Sequence, residues 1–170
     1  MSFSHKAFAF SSESFAEELA PLLSQSLASR STSLLEAFIE RHISACSCPY
    51  DGEPLGPEWR ELLEMGTTQE LADFALTKYY EPTEDFGLGE AWGQVEATLL
   101  APQRAALLGT ALGPPDNLFD PGLQGSYFQS SKTVQESAIL LLHLEHHAVQ
   151  EFGRQLQHIA ASSKGLYVTF

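Results

Sequence analysis

Positive charge is scarce in this chain: nine lysines and arginines stand against twenty-two aspartates and glutamates, and the nine are scattered from Lys6 to Lys164. Phosphate recognition needs clustered Lys and Arg, so no nucleic-acid ligand is expected. Cysteine is nearly absent, with Cys46 and Cys48 alone and separated by one residue. That spacing does not suit a structural disulfide, and two cysteines are not the framework of a secreted mini-protein. No stretch approaches the roughly eighteen apolar residues of a membrane span. The opening MSFSHKAFAFSS lacks the charged start and apolar run of a signal peptide. The expectation is a cytoplasmic protein with reduced thiols and no membrane partner.

Catalytic and nucleotide signatures are missing too. There is no Walker motif, no G-x-S-x-G elbow and no Cys-His-Asn pattern of known spacing, although a site assembled from distant residues leaves no such local trace. Gly87, Gly89 and Gly93 in FGLGEAWG do not have the dinucleotide spacing, no strand precedes them, and Glu84, Asp85 and Glu90 would repel phosphate. The reading leans away from an enzyme, and no cofactor is expected.

Negative charge, by contrast, is concentrated. Within residues 51–96 twelve carboxylates face only Arg60 and Lys78, so this stretch carries −10 of the total −13. Interleaved Trp59, Leu62, Leu63, Leu71, Phe74, Leu76, Tyr79 and Tyr80 distinguish it from a disordered polyanion. It is expected to form mostly helical surface, with its carboxylates outward and Leu62, Leu63, Leu71 and Phe74 inward. A dense face of one sign suits a cationic partner. The candidate binding residues are Trp59, Glu61, Glu64, Asp73, Tyr80, Glu84, Asp85 and Glu90, with Trp59, Tyr79, Tyr80 and Trp92 as aromatic anchors.

With 170 residues, 44% of them hydrophobic, the chain has the size and apolar content of one domain spanning 1–170. A strand is predicted over 5–10 and another in GLYVTF, where Leu166, Val168 and Phe170 alternate with Tyr167 and Thr169 as in a half-buried strand. Between them the pattern is helical. Ser14 with Glu17 and Ser33 with Glu36 read as capping boxes, the second opening a helix over 33–45. Pro21 starts a second short helix or kinks the first. Pro57 opens a short acidic helix ending at Gly66, and Thr67 with Glu70 caps a helix running to about Tyr80. Helix resumes over 90–112, restarted at Pro102; GPPDNLFDPGLQGSYFQS is the longest irregular stretch; and one last helix covers 133–161. The layout predicts an α+β fold, a mainly helical domain with a small sheet formed by the terminal strands.

The last helix places Glu145 among Val134, Ala138, Leu141 and Phe152 on its apolar face. A carboxylate there needs a donor or a proton, so Glu145 is expected to be at least partly buried and bonded from outside its helix. A helix that is kinked near Gly153 or shorter than this, leaving Glu145 at a wet edge, or a role in binding or catalysis, are the alternatives. His143 and His147 share a face at i and i+4, as metal-binding pairs do, but that face also carries Gln150, Arg154 and His158 and points to solvent. His42, Cys46 and Cys48 form a second conceivable set, lacking a fourth ligand. No metal site is assigned.

In the C-terminal half FGLGEAW, LFDPGLQGSYF, LEHHAVQEF and GLYVTF follow in order. With Phe119-Asp120-Pro121, Gly125, Tyr127 and Leu144-Glu145, this resembles the YfbM-like family of small bacterial proteins. The resemblance covers about 85 residues and implies an α+β bacterial domain with no assigned activity and no catalytic residue to carry over. Two functional classes remain: a non-enzymatic acidic binding protein, most concretely an immunity-type inhibitor facing a basic protein partner, and a metal-binding protein or metal-assisted hydrolase using the histidine and glutamate run.

Overall fold

The computed structural model describes residues 3–170; Met1 and Ser2, part of the opening segment read for a signal peptide, lie outside it. Strands β1 (Lys6–Phe10) and β3 (Gly165–Thr169) pair antiparallel with Phe8 opposite Tyr167, and β2 (Ser126–Gln129) adds to the far side of β3. The order is β1-β3-β2. The terminal strands form the sheet as predicted. The third strand, SYFQ, lies inside the stretch read as irregular, because four residues carry too short an alternation to be told from loop.

Period-two alternation sorts the side chains of the sheet onto two cores. Phe8, Phe10, Phe128 and Tyr167 face helices α1 (Ser12–Glu18), α2 (Ala20–Ser29), α3 (Ser33–Arg41) and α4 (Thr68–Leu76). Ala7, Tyr127, Leu166 and Val168 face α5 (Trp92–Glu96), α6 (Ala101–Leu108), α7 (Ser131–Leu142) and α8 (His147–Ala161). The fold is α+β, with earlier helices on one side of the sheet and later ones on the other. This corrects the half-buried β3: Tyr167 is 1% exposed and Val168 0%. A central strand covered twice has no solvent side.

Proline and threonine signals act where predicted. Pro21 and Pro102 sit in the first turns of α2 and α6, and Thr67 Oγ1 accepts the Glu70 N–H at the start of α4. The capping boxes at Ser14 and Ser33 do not form, since Ser11 and Thr32 occupy the cap positions without side-chain bonds. The helix over 33–45 stops at Arg41, followed by a 3-10 turn at Ile43–Ala45. The Pro57 helix is a 3-10 turn at Trp59–Leu62, and the expected 90–112 helix is the separate α5 and α6.

The predicted helix over 133–161 is also two. α7 ends at Leu142, residues 143–146 turn, and α8 folds back so that Gly153 lies against Leu142. His146 makes the break: its backbone is extended and its Nδ1 accepts the Val149 N–H. Histidine is a weak helix-start signal, and the apolar pattern passes from Leu141 to Val149 nearly in phase, so the pattern hides the turn.

The outer edge of β1 is covered by residues 85–89. Phe86 N–H donates to the Ala7 carbonyl, and His5 and Gly89 exchange both backbone bonds. The His5 side chain is fully buried on the other core, where Nδ1 accepts the Leu88 N–H, so Nε2 carries the proton donated to the Leu107 carbonyl. The glycines of FGLG thus serve close approach: a Cβ on Gly87 would lie 2.1 Å from the His5 carbonyl oxygen. Gly87→Ala is expected to destabilise by about 2 kcal/mol, read from the urea midpoint. An unchanged midpoint would show that the segment detaches without cost.

Candidate functional site

Helix α4 turns Leu71, Phe74 and Ala75 into the core, while Glu70 and Asp73, one turn apart, share a side. Between that side and the Lys6/Thr169 end of the sheet opens a cleft of about 270 Å³, closed by the loop of Pro49 and Tyr50 and by Pro121 and Gly122.

Glu70 is 8% exposed, and its carboxylate accepts the N–H groups of Glu64 at 2.6 Å, Met65 at 2.9 Å and Gly66 at 2.7 Å. The turn before α4 is wrapped around it. Asp73 has no such support: among the described residues it forms no hydrogen bond and no ion pair. Burial, and secondarily the charge of Glu70, raise its pKa from the ordinary 3.8 to about 7. Near neutrality this carboxyl is balanced between its two protonation states.

One wall of the cleft is aromatic. The Tyr80 ring lies 4.8 Å from Phe8 and 5.1 Å from Tyr167, centroid to centroid. Burial pushes the Tyr80 and Tyr167 phenols up, with the charge of Asp73 among the smaller contributions. Tyr50, at the mouth, is raised to about 12 by burial, then by Asp73, Glu70 and Glu64. The phenols therefore stay neutral. Lys6 also lines the cleft and forms no ion pair among the described residues.

A second groove of about 490 Å³ adjoins the first, sharing Met65, Thr67, Gln69 and Pro121. Gln69 ties its far bank to α4, donating to the Leu118 carbonyl and accepting the Asp120 N–H. Met65 and Leu123 stand at its rim, 80% and 86% exposed, and Leu123 holds a left-handed φ of 59°. Large apolar side chains this exposed beside a carboxylate-lined cleft form a mixed surface suited to contact.

Of the residues singled out from sequence, Glu64, Asp73 and Tyr80 converge on the cleft. Glu61, Glu84 and Glu90 are exposed but do not line it. Asp85 is exposed yet occupied, its Oδ1 accepting the Ala7 and Gly87 N–H groups. Trp59, Tyr79 and Trp92 are corrections: all three are buried in the cores and cannot act as surface anchors. The acidic stretch is only partly helical, and Leu62 faces outward rather than inward, while Leu71 and Phe74 are buried as predicted. Glu70, Tyr50 and Tyr167 were missed as site residues. The Thr67–Glu70 spacing marked a cap, but not the reach of the Glu70 side chain to three N–H groups upstream.

The charge of the stretch is not neutralised from within. Its two cations pair outside it, Arg60 with Glu40 and Lys78 with Glu18, and among the described residues only Glu96 of its carboxylates is in an ion pair, with Arg104.

Glu145 is a further correction. It lies in the exposed turn between α7 and α8, not on an apolar face, because the helix that would have carried it inward ends at Leu142. His143 and His147 are exposed, as predicted. Cys46 and Cys48 are buried and unpaired, and burial pushes the Cys46 thiol up to about 11. Among the described residues no three His, Cys, Asp or Glu side chains converge as a metal-ligand set, and no helix is long and apolar enough to cross a membrane. Comparison of the chain with protein-family models, with curated proteins and with solved structures finds no match.

Proposed function

We propose that the protein is a non-enzymatic, cytoplasmic binding protein of the immunity-inhibitor type, presenting its acidic surface to a basic protein partner. The observation that carries this reading is the uncompensated charge of residues 51–96, whose two cations are engaged with Glu18 and Glu40. Complementary charge steers encounter and raises association rates. Tyr50, Met65 and Leu123 supply exposed apolar contacts beside the carboxylates of the cleft. The YfbM-like kinship is proposed alongside it. Its Asp120 shows a local role in closing the loop, accepting the Gln124 and Gly125 N–H groups.

The test uses a short lysine- and arginine-rich peptide and its glutamine-substituted counterpart. The native protein is expected to bind the first and not the second. Binding should weaken steeply above physiological salt, where exposed charges are screened within about 8 Å. Glu61→Lys with Glu84→Lys should weaken it further. Equal binding of both peptides, or binding indifferent to salt, would contradict the reading.

A further inference from the structure

We propose that the cleft beside α4 binds an organic ammonium group, held as an ion pair by Asp73 against the aromatic wall. This rests on the binding-protein reading and supplies its recognition chemistry. Three features point the same way. Asp73 lines a cavity with both oxygens free of protein donors, so the site lacks the N–H that an ammonium brings. Phe8, Tyr80 and Tyr167 line the same space, with Tyr50 at its mouth, and aromatic ring faces attract cations. Glu64 and Glu70 add negative charge, and an anion entering here would meet three carboxyls and one lysine.

The groups facing Asp73 are Glu70 on its own helix, Glu64 in the preceding turn, Tyr50 in the loop, Tyr80 after the helix, and Lys6 and Tyr167 from the sheet. An incoming ammonium favours the ionised carboxyl, so binding releases a proton while Asp73 is still protonated. Affinity therefore rises with pH and levels once the free site is ionised, the ammonium keeping its charge well beyond that point. The ammonium belongs either to a lysine of a protein partner or to a free small amine.

The experiment titrates n-butylammonium, Nα-acetyl-lysine amide and the neutral Nα-acetyl-norleucine amide into isotope-labelled protein, following the amides of Asp73, Tyr80 and Tyr167. Both cations should give saturable shifts and the norleucine derivative none, with affinity rising about tenfold per pH unit below the Asp73 midpoint. Asp73→Asn should weaken binding at least tenfold in a variant that melts no lower than native. Tyr80→Leu, a second variant that keeps apolar bulk, should weaken it several-fold. Tighter binding of the lysine amide than of butylammonium assigns the site to a protein partner, and equal binding assigns it to a free amine. No saturable shift, an equal response to norleucine, or undiminished binding by Asp73→Asn would overturn the proposal. If the basic peptide still binds while the cleft stays silent, this proposal fails and the acidic-surface reading stands.

Discussion

Asp73→Asn is expected to stabilise the protein at pH 8 and to leave its stability nearly unchanged at pH 3. The folded-state pKa of Asp73, about 7, lies above its unfolded value near 3.8. The folded protein therefore holds this proton more tightly. The resulting stability is fully present below about pH 3.8 and is lost as pH rises through about 7. Three pH units at about 1.4 kcal/mol each set an upper limit of about 4 kcal/mol, and water in the cleft reduces this toward about 2. Asparagine fills the same space without a charge to desolvate, so its urea midpoint should pull ahead of native as pH rises. Parallel midpoints from pH 3 to 8 would show that Asp73 is not strained. A residue whose replacement stabilises the fold while removing ligand binding is retained for binding.

Glu70→Ala should act in the opposite direction. It removes the acceptor of three N–H groups at Glu64, Met65 and Gly66 at once. Bonds to a charged group contribute about 1.5–3 kcal/mol each, and water replaces part of that at this half-open turn, so a loss of about 3 kcal/mol is expected. Hydrogen exchange at those amides should accelerate with it. Because the charge of Glu70 is the second cause of the raised Asp73 pKa, the same variant should lower the Asp73 midpoint. A loss under about 1 kcal/mol, with protected amides, would mean that other contacts hold the turn.

The parts of this architecture legible in the sequence were those set by short-range rules. Pro21, Pro102 and Thr67 mark helix starts by their own covalent chemistry, and the terminal strands follow from alternation. Where partners distant in sequence decide, local pattern was silent. Tyr167 looked half-buried because its own face of β3 is covered by helices α1 to α4, which lie in the first half of the chain, far from β3 in sequence. Glu145 looked buried because an in-phase apolar pattern runs straight through the turn at His146. Asp73 and Tyr80 were picked out for belonging to the acidic stretch. What makes them a site is the meeting of α4 with Phe8 and Tyr167, which no spacing in the chain records.

The carboxyl carbon of Asp73, titrated by NMR in the free protein and again with saturating butylammonium, tests the central claim most directly. The account predicts a midpoint of about 7 in the free protein, falling toward the ordinary carboxylate range when the ammonium is bound. An ordinary midpoint in the free protein, or a raised one that the ammonium leaves unmoved, would contradict it.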